Sequence, residues 1–157
     1  MTHKIYFSQH GLAVDKTEDP ERPLSPAGRQ QTEAVANILL DSGTSLTHIF
    51  HSGKLRAAQS AEIFANTLKV SSISSINGLA PNDDVTQLAK NLNSEHTLYV
   101  GHLPHLEKLA AYLLTGDENT NIVRFQNSGV LCLEKESQHY RIKWLLSPDL
   151  TNVTSKA

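Results

Sequence analysis

Three short apolar runs, at residues 4–8, 47–51 and 97–100, each give way to a turn and then to a helical pattern. This alternation restricts the chain to a sheet in which parallel strands are joined by helical crossovers. Ser25 and Pro26 form a helix start, an N-cap followed by proline at the first helical position. Ala34, Val35, Ile38 and Leu39 give that helix an apolar face, and Gly43 ends it. A second helix is predicted from about 54 to 68, with Leu55, Ala58, Ala61, Ile63 and Ala65 directed inward. A short strand is expected over 70–76, and a helix capped by Asp84 running to about Asn93. Pro104 opens another helix that reaches Leu114 and stops at Gly116. Residues 130–135 and 140–146, separated by a polar turn, read as a closing hairpin. The expected fold is α/β and three-layered: a mainly parallel sheet with helices on both faces and a C-terminal antiparallel hairpin.

At 157 residues the chain suits one domain, placed at 1–147, with a polar, frayed tail at 148–157. No internal repeat or low-complexity tract marks a second. A net charge of -2 argues against non-specific nucleic-acid binding, for no general basic excess faces a phosphate backbone. Cys132 is the only cysteine and sits in an apolar run, which excludes an internal disulfide and points to core packing. No apolar stretch reaches membrane-spanning length, and the N-terminus lacks a signal peptide's pattern, so a soluble cytoplasmic monomer is expected.

Candidate functional residues follow the strands. Gln9-His10-Gly11 comes after the first, Ser52-x-x-x-Arg56-Ala57-x-Gln59-Ser60-Ala61 after the second, and Val100-Gly101-His102 ends the third. The loop between contains Arg22-Pro23-Leu24-Ser25. Ligands of open α/β sheets bind beyond the carboxyl ends of the strands, so His10, Arg56 and His102 are expected to converge. Two imidazoles and a guanidinium suit a phosphoryl group. Neutral imidazole is a competent nucleophile near pH 7, and arginine gives paired, charge-assisted bonds to phosphoryl oxygens. A second histidine can hold the charge that develops on those oxygens. His48 and His51, like His102 and His105, are spaced three apart; a metal reading lacks further ligands at fixed spacing. His51, His105 and Lys54 are read as solvated positions at the rim, Trp144 as core, and Glu134 and Glu136 as a solvated strand face.

In their order and spacing from residue 4 to about 115, these blocks resemble the histidine phosphatase superfamily, the phosphoglycerate-mutase-like proteins, and among them the SixA-like phosphohistidine phosphatases. The resemblance implies a phospho-accepting role for His10, phosphate binding by Arg56 and Arg22, and a second active-site histidine at His102. It implies no cofactor and no metal, and a phosphohistidine-bearing protein, such as a phosphotransfer domain, as substrate. The family has arginine before the histidine; here Gln9 stands in that place. Lys54 is a cation that could partly replace it. Asp84 is the candidate general acid, with helix capping as an equal alternative. Two functions follow: a phosphohistidine phosphatase slowed by Gln9, or a relative that binds phosphorylated histidine without turnover. A mutase or sugar-phosphate phosphatase is disfavoured, because the chain has no long insertion to build a deep substrate cap.

Overall fold

The computed structural model describes residues 3–93 and 95–151. A six-stranded sheet carries the fold, built from β1 (His3–Gln9), β2 (His48–His51), β3 (Ile73–Ser75), β4 (Thr97–Gly101), β5 (Val130–Glu136) and β6 (His139–Leu146). Its order is β3-β2-β4-β1-β5-β6. The first four of these strands run parallel, while β5 pairs antiparallel with β1 and β6 with β5. The expected mainly parallel sheet with a closing hairpin is therefore present.

Helices cover both faces. α1 (Pro26–Asp41) and α2 (Leu55–Leu68) bury Val35, Ala36, Leu39, Ala57, Ala61 and Phe64 against Tyr6, Ile49, Leu98 and Cys132. α3 (Val85–Ala89) and α4 (His105–Thr115) bury Val85, Leu88, Leu106 and Leu109 against Ile5, Phe7, Tyr99 and Leu131. Burial of such side chains contributes about 1.5–3 kcal/mol each, and strands covered on both faces present both rows to it. The termini of α1 follow the sequence: the Ser25 hydroxyl accepts from Gly28 N at 2.9 Å, Pro26 occupies the first turn, and Gly43 follows with φ +83°.

Some expectations are corrected. Leu55 is exposed and Ala58 only partly buried; Ala61, Ile63 and Ala65 are buried as expected, and Ala57, Ser60 and Phe64 join them to widen the inward face of α2. α3 stops at Ala89 instead of near 93, because the Tyr99 hydroxyl accepts from Asn93 N and draws the chain toward β4. β3 begins at Ile73, not 70: Val70 N still donates to the Ala65 carbonyl to close α2. Trp144 is only partly buried, against Tyr6 with ring centroids 6.0 Å apart. Pro148–Leu150 forms a short 3-10 turn with Pro148 buried, where a frayed tail was expected; 152–157 lie outside the described residues. Among the described residues, no helix is long and apolar enough to cross a membrane.

Candidate active site

His10, Arg56 and His102 meet beyond the carboxyl ends of β1, β2 and β4. Parallel pairing places those ends on one edge, with Gln9 level with Gly101 and His51 with Val100. Arg56 Nε donates to His10 Nε2 at 3.4 Å, and the His10 and His102 rings lie 5.0 Å apart, centre to centre. His10 is held from several directions. Its N–H donates to the Gly101 carbonyl at 3.0 Å, and its own carbonyl accepts from Asn127 Nδ2 at 3.0 Å. Ser128 N donates to the Gln9 carbonyl at 2.9 Å.

The ring is held as firmly. His10 Nδ1 donates to the Gly11 carbonyl at 2.6 Å. A carbonyl can only accept, so the proton of the neutral ring lies on Nδ1 and the lone pair on Nε2, facing Arg56. Burial lowers the His10 pKa to about 4, against the Gly11 hydrogen bond that raises it; Arg56 and then Arg22 add to the lowering. His102 is lowered to about 3 by burial first, then by His10, Arg56, Lys54 and His105. Both imidazoles are therefore neutral at pH 7. Burial and Arg22 also lower the Arg56 pKa, though a guanidinium keeps its charge in proteins.

Gly11 is required by packing. A Cβ there would lie 2.6 Å from Thr32 Oγ1 and 3.0 Å from Leu24 Cδ2. Gly28 is tighter still, because a side chain would collide with the Leu12 backbone where the loop crosses α1. One hydroxyl then ties two parts of the site together: Ser60 Oγ accepts from Gly11 N at 2.9 Å and donates to the Arg56 carbonyl at 2.8 Å. Gln59 Oε1 accepts from Leu24 N at 2.7 Å and so anchors the 12–24 loop to α2.

Arg22 sits beside this cluster, with φ +50° and its Nε donating to the Val14 carbonyl at 3.1 Å. Lys54 is exposed at the N-cap of α2. Gln9 is partly buried, and its Oε1 has no hydrogen-bond partner. Asp84 is exposed and caps α3, accepting from Thr86 N at 2.9 Å and Thr86 Oγ1 at 2.7 Å. Those bonds lower its pKa, so it is an anion at neutral pH and a poor proton donor. It lines a cleft of about 470 Å³ with Ser52, Asn77, Gly78, Asp83 and Gln87.

Sequence reasoning quoted Ser52 without giving it a task; its Oγ lies 2.6 Å from His102 Nε2. Asn127 and Ser128 were missed outright, for they lie in a stretch without periodicity. His105 was read as solvated and is fully buried. Among the described residues, no three His, Cys, Asp or Glu side chains gather where they could hold a metal ion.

Residues 5–80 match the family model of the histidine phosphatase superfamily, branch 1. The chain is 27% identical over 154 residues to the phosphohistidine phosphatase SixA of Escherichia coli, spanning 92% of this chain and 94% of that protein. An uncharacterized protein of Picosynechococcus is 30% identical over 139 residues, spanning 83% and 84%. The solved structure of the protein histidine phosphatase SixA complexed with tungstate superposes with a TM-score of 0.80 at 26% identity, covering 94% of this chain and 99% of that one. Fold, site geometry and these likenesses agree: the chain belongs to the histidine phosphatase superfamily, in its SixA-like branch.

Proposed function

We propose that the chain is a phosphohistidine phosphatase that works through a phospho-His10 intermediate. The observation that carries this reading is the His10 ring, neutral, pinned through Nδ1 and turned through Nε2 toward Arg56. Nε2 attacks phosphorus, the P–N bond to the substrate imidazole breaks, and the departing nitrogen takes up a proton. Water then attacks phospho-His10, releasing orthophosphate and restoring the free ring. Arg56, Arg22 and the Gln9 amide bind the phosphoryl oxygens, and His102 opposes their charge once its Nε2 leaves Ser52 for them. No strong acid is needed, because imidazole is a leaving group whose conjugate acid lies near neutrality. This accords with Asp84 being committed to the α3 cap. The substrate is a protein-borne phosphohistidine presented to an open mouth, met by a cytoplasmic monomer that needs no cofactor.

Gln9 favours one alternative, a protein of the same fold that binds phosphohistidine without turning it over. Incubation with a phosphorylated phosphotransfer domain separates the two. We expect loss of phosphate from that domain and an acid-labile, alkali-stable label on His10, absent in His10→Ala. Binding with neither label nor release would establish the alternative; a label on another residue would overturn the mechanism.

A further inference from the structure

Among the described residues, four buried side-chain polar atoms lack a hydrogen-bond partner: Gln9 Oε1, His102 Nδ1 and both ring nitrogens of His105. All belong to one end of the sheet. Gln9 pairs in register with Gly101, immediately before His102. It alternates with Ile5 and Phe7, whose side chains pack with Leu106 and Leu109 of α4, so its own side chain lies on the α4 face. His105 opens α4, is fully buried, and is close enough for its charge to act on His102. A buried polar group without a partner has given up water for nothing, so four together behind a binding site call for a reason.

Their electrostatic surroundings differ. His10 faces Arg56 and Arg22, and His102 faces His10, Arg56, Lys54 and His105; these cations and imidazoles resist a further proton. His105 faces the Asp83 carboxylate, from the loop before α3, and the backbone of Gly78. Of the three buried imidazoles it alone has an anion among these neighbours. The donor count points the same way. Neutral His105 offers one N–H, whereas its imidazolium offers two, and the acceptors at this end of the sheet are the Gly78 carbonyl, Gln9 Oε1 and, when His102 carries its proton on Nε2, His102 Nδ1. Burial keeps His105 neutral while the pocket holds no anion.

We propose that His105 takes up a proton when a tetrahedral dianion binds at His10 and Arg56, so that a buried imidazolium supplies the charge an arginine at position 9 would carry permanently. His105 is then a positioning residue: the N–H it gains on protonation serves the unpaired acceptors beside it, Gln9 Oε1 and His102 Nδ1, while the other goes to the Gly78 carbonyl. The inference shares with the phosphatase reading only the location of the anion.

Sulfate is the probe, because it stays a dianion from mildly acidic to basic pH and any proton taken up is the protein's. Calorimetry near pH 7 in buffers of different ionisation enthalpy should show uptake approaching about one proton per sulfate, and affinity should fall by up to about tenfold per pH unit. Nitrogen-15 spectra of the histidine rings should show His105 becoming imidazolium while His10 and His102 stay neutral. His105→Phe and His105→Gln should lose the uptake, and Gln9→Arg should bind sulfate with none. Should either His105 variant fail to fold, the wild-type spectra decide. Uptake on His10 or His102, or none at all, would overturn the proposal. Sulfate-linked uptake on His105 in a protein that never labels His10 would instead sink the phosphatase reading and leave this one standing.

Discussion

An amide at position 9 offers neutral N–H donors where a guanidinium would bring a fixed charge. Hydrogen bonds to charged groups contribute about 1.5–3 kcal/mol and neutral ones about 0.5–1.5, so the exchange removes on the order of 1–2 kcal/mol of phosphoryl stabilisation. Where that interaction forms mainly in the transition state, Gln9→Arg raises turnover by on the order of tenfold to a few hundredfold, and the gain grows toward basic pH, where the guanidinium keeps its charge and His105 no longer takes up a proton. Steady-state kinetics on a phosphohistidine protein checks this, with Lys54→Ala alone and in combination as controls. A flat response to Gln9→Arg beside a steep loss in Lys54→Ala would show that Lys54 already fills the role. His10, Arg56 and His102 were legible in the sequence because each follows a strand whose direction the pattern revealed. Ser60 stands in the block around Arg56, but nothing in the pattern reveals that its hydroxyl bridges Gly11 N and the Arg56 carbonyl, a tie between segments 49 positions apart. Asn127 had no pattern around it to betray it.

At the scale of elements, the N-terminus of α1 matters more to the site than its distance suggests. The Ser25 hydroxyl both accepts from Gly28 N and donates to the Leu12 carbonyl at 3.0 Å, so it fastens the loop that follows His10-Gly11 to the helix. Ser25→Ala should cost about 1 kcal/mol in chemical denaturation, as N-cap losses do. It should also weaken sulfate binding by loosening the Arg22 loop. Unchanged affinity alongside lost stability would show that the loop keeps its place without this tie. The helix itself was legible from Ser25-Pro26 and Gly43, local signals that tertiary packing did not override. The short strand and the short helix were overestimated for the opposite reason: a closing helix turn consumed Val70, and a tyrosine hydroxyl captured residue 93.

For the whole molecule, burying histidines with lowered pKa values makes stability depend on pH. An unfolded histidine titrates near 6.5, while His10 and His102 titrate near 4 and 3 when folded. Between these values the unfolded chain binds more protons, so stability is full above about pH 6.5 and falls as the pH drops toward 4. His51 and His105 shift in the same direction. Urea titrations should lose on the order of 2–5 kcal/mol over that interval, and sulfate should restore part of it. A flat profile would mean that the imidazoles are better solvated than their burial implies.

The bond from Asn127 Nδ2 to the His10 carbonyl joins residues 117 positions apart. During synthesis the tenth residue leaves the ribosome early, then waits for nearly the whole chain before its backbone is fully secured. A nascent fragment that ends before Asn127 carries every one of His10, Arg56 and His102 yet lacks the clasp that closes around the first.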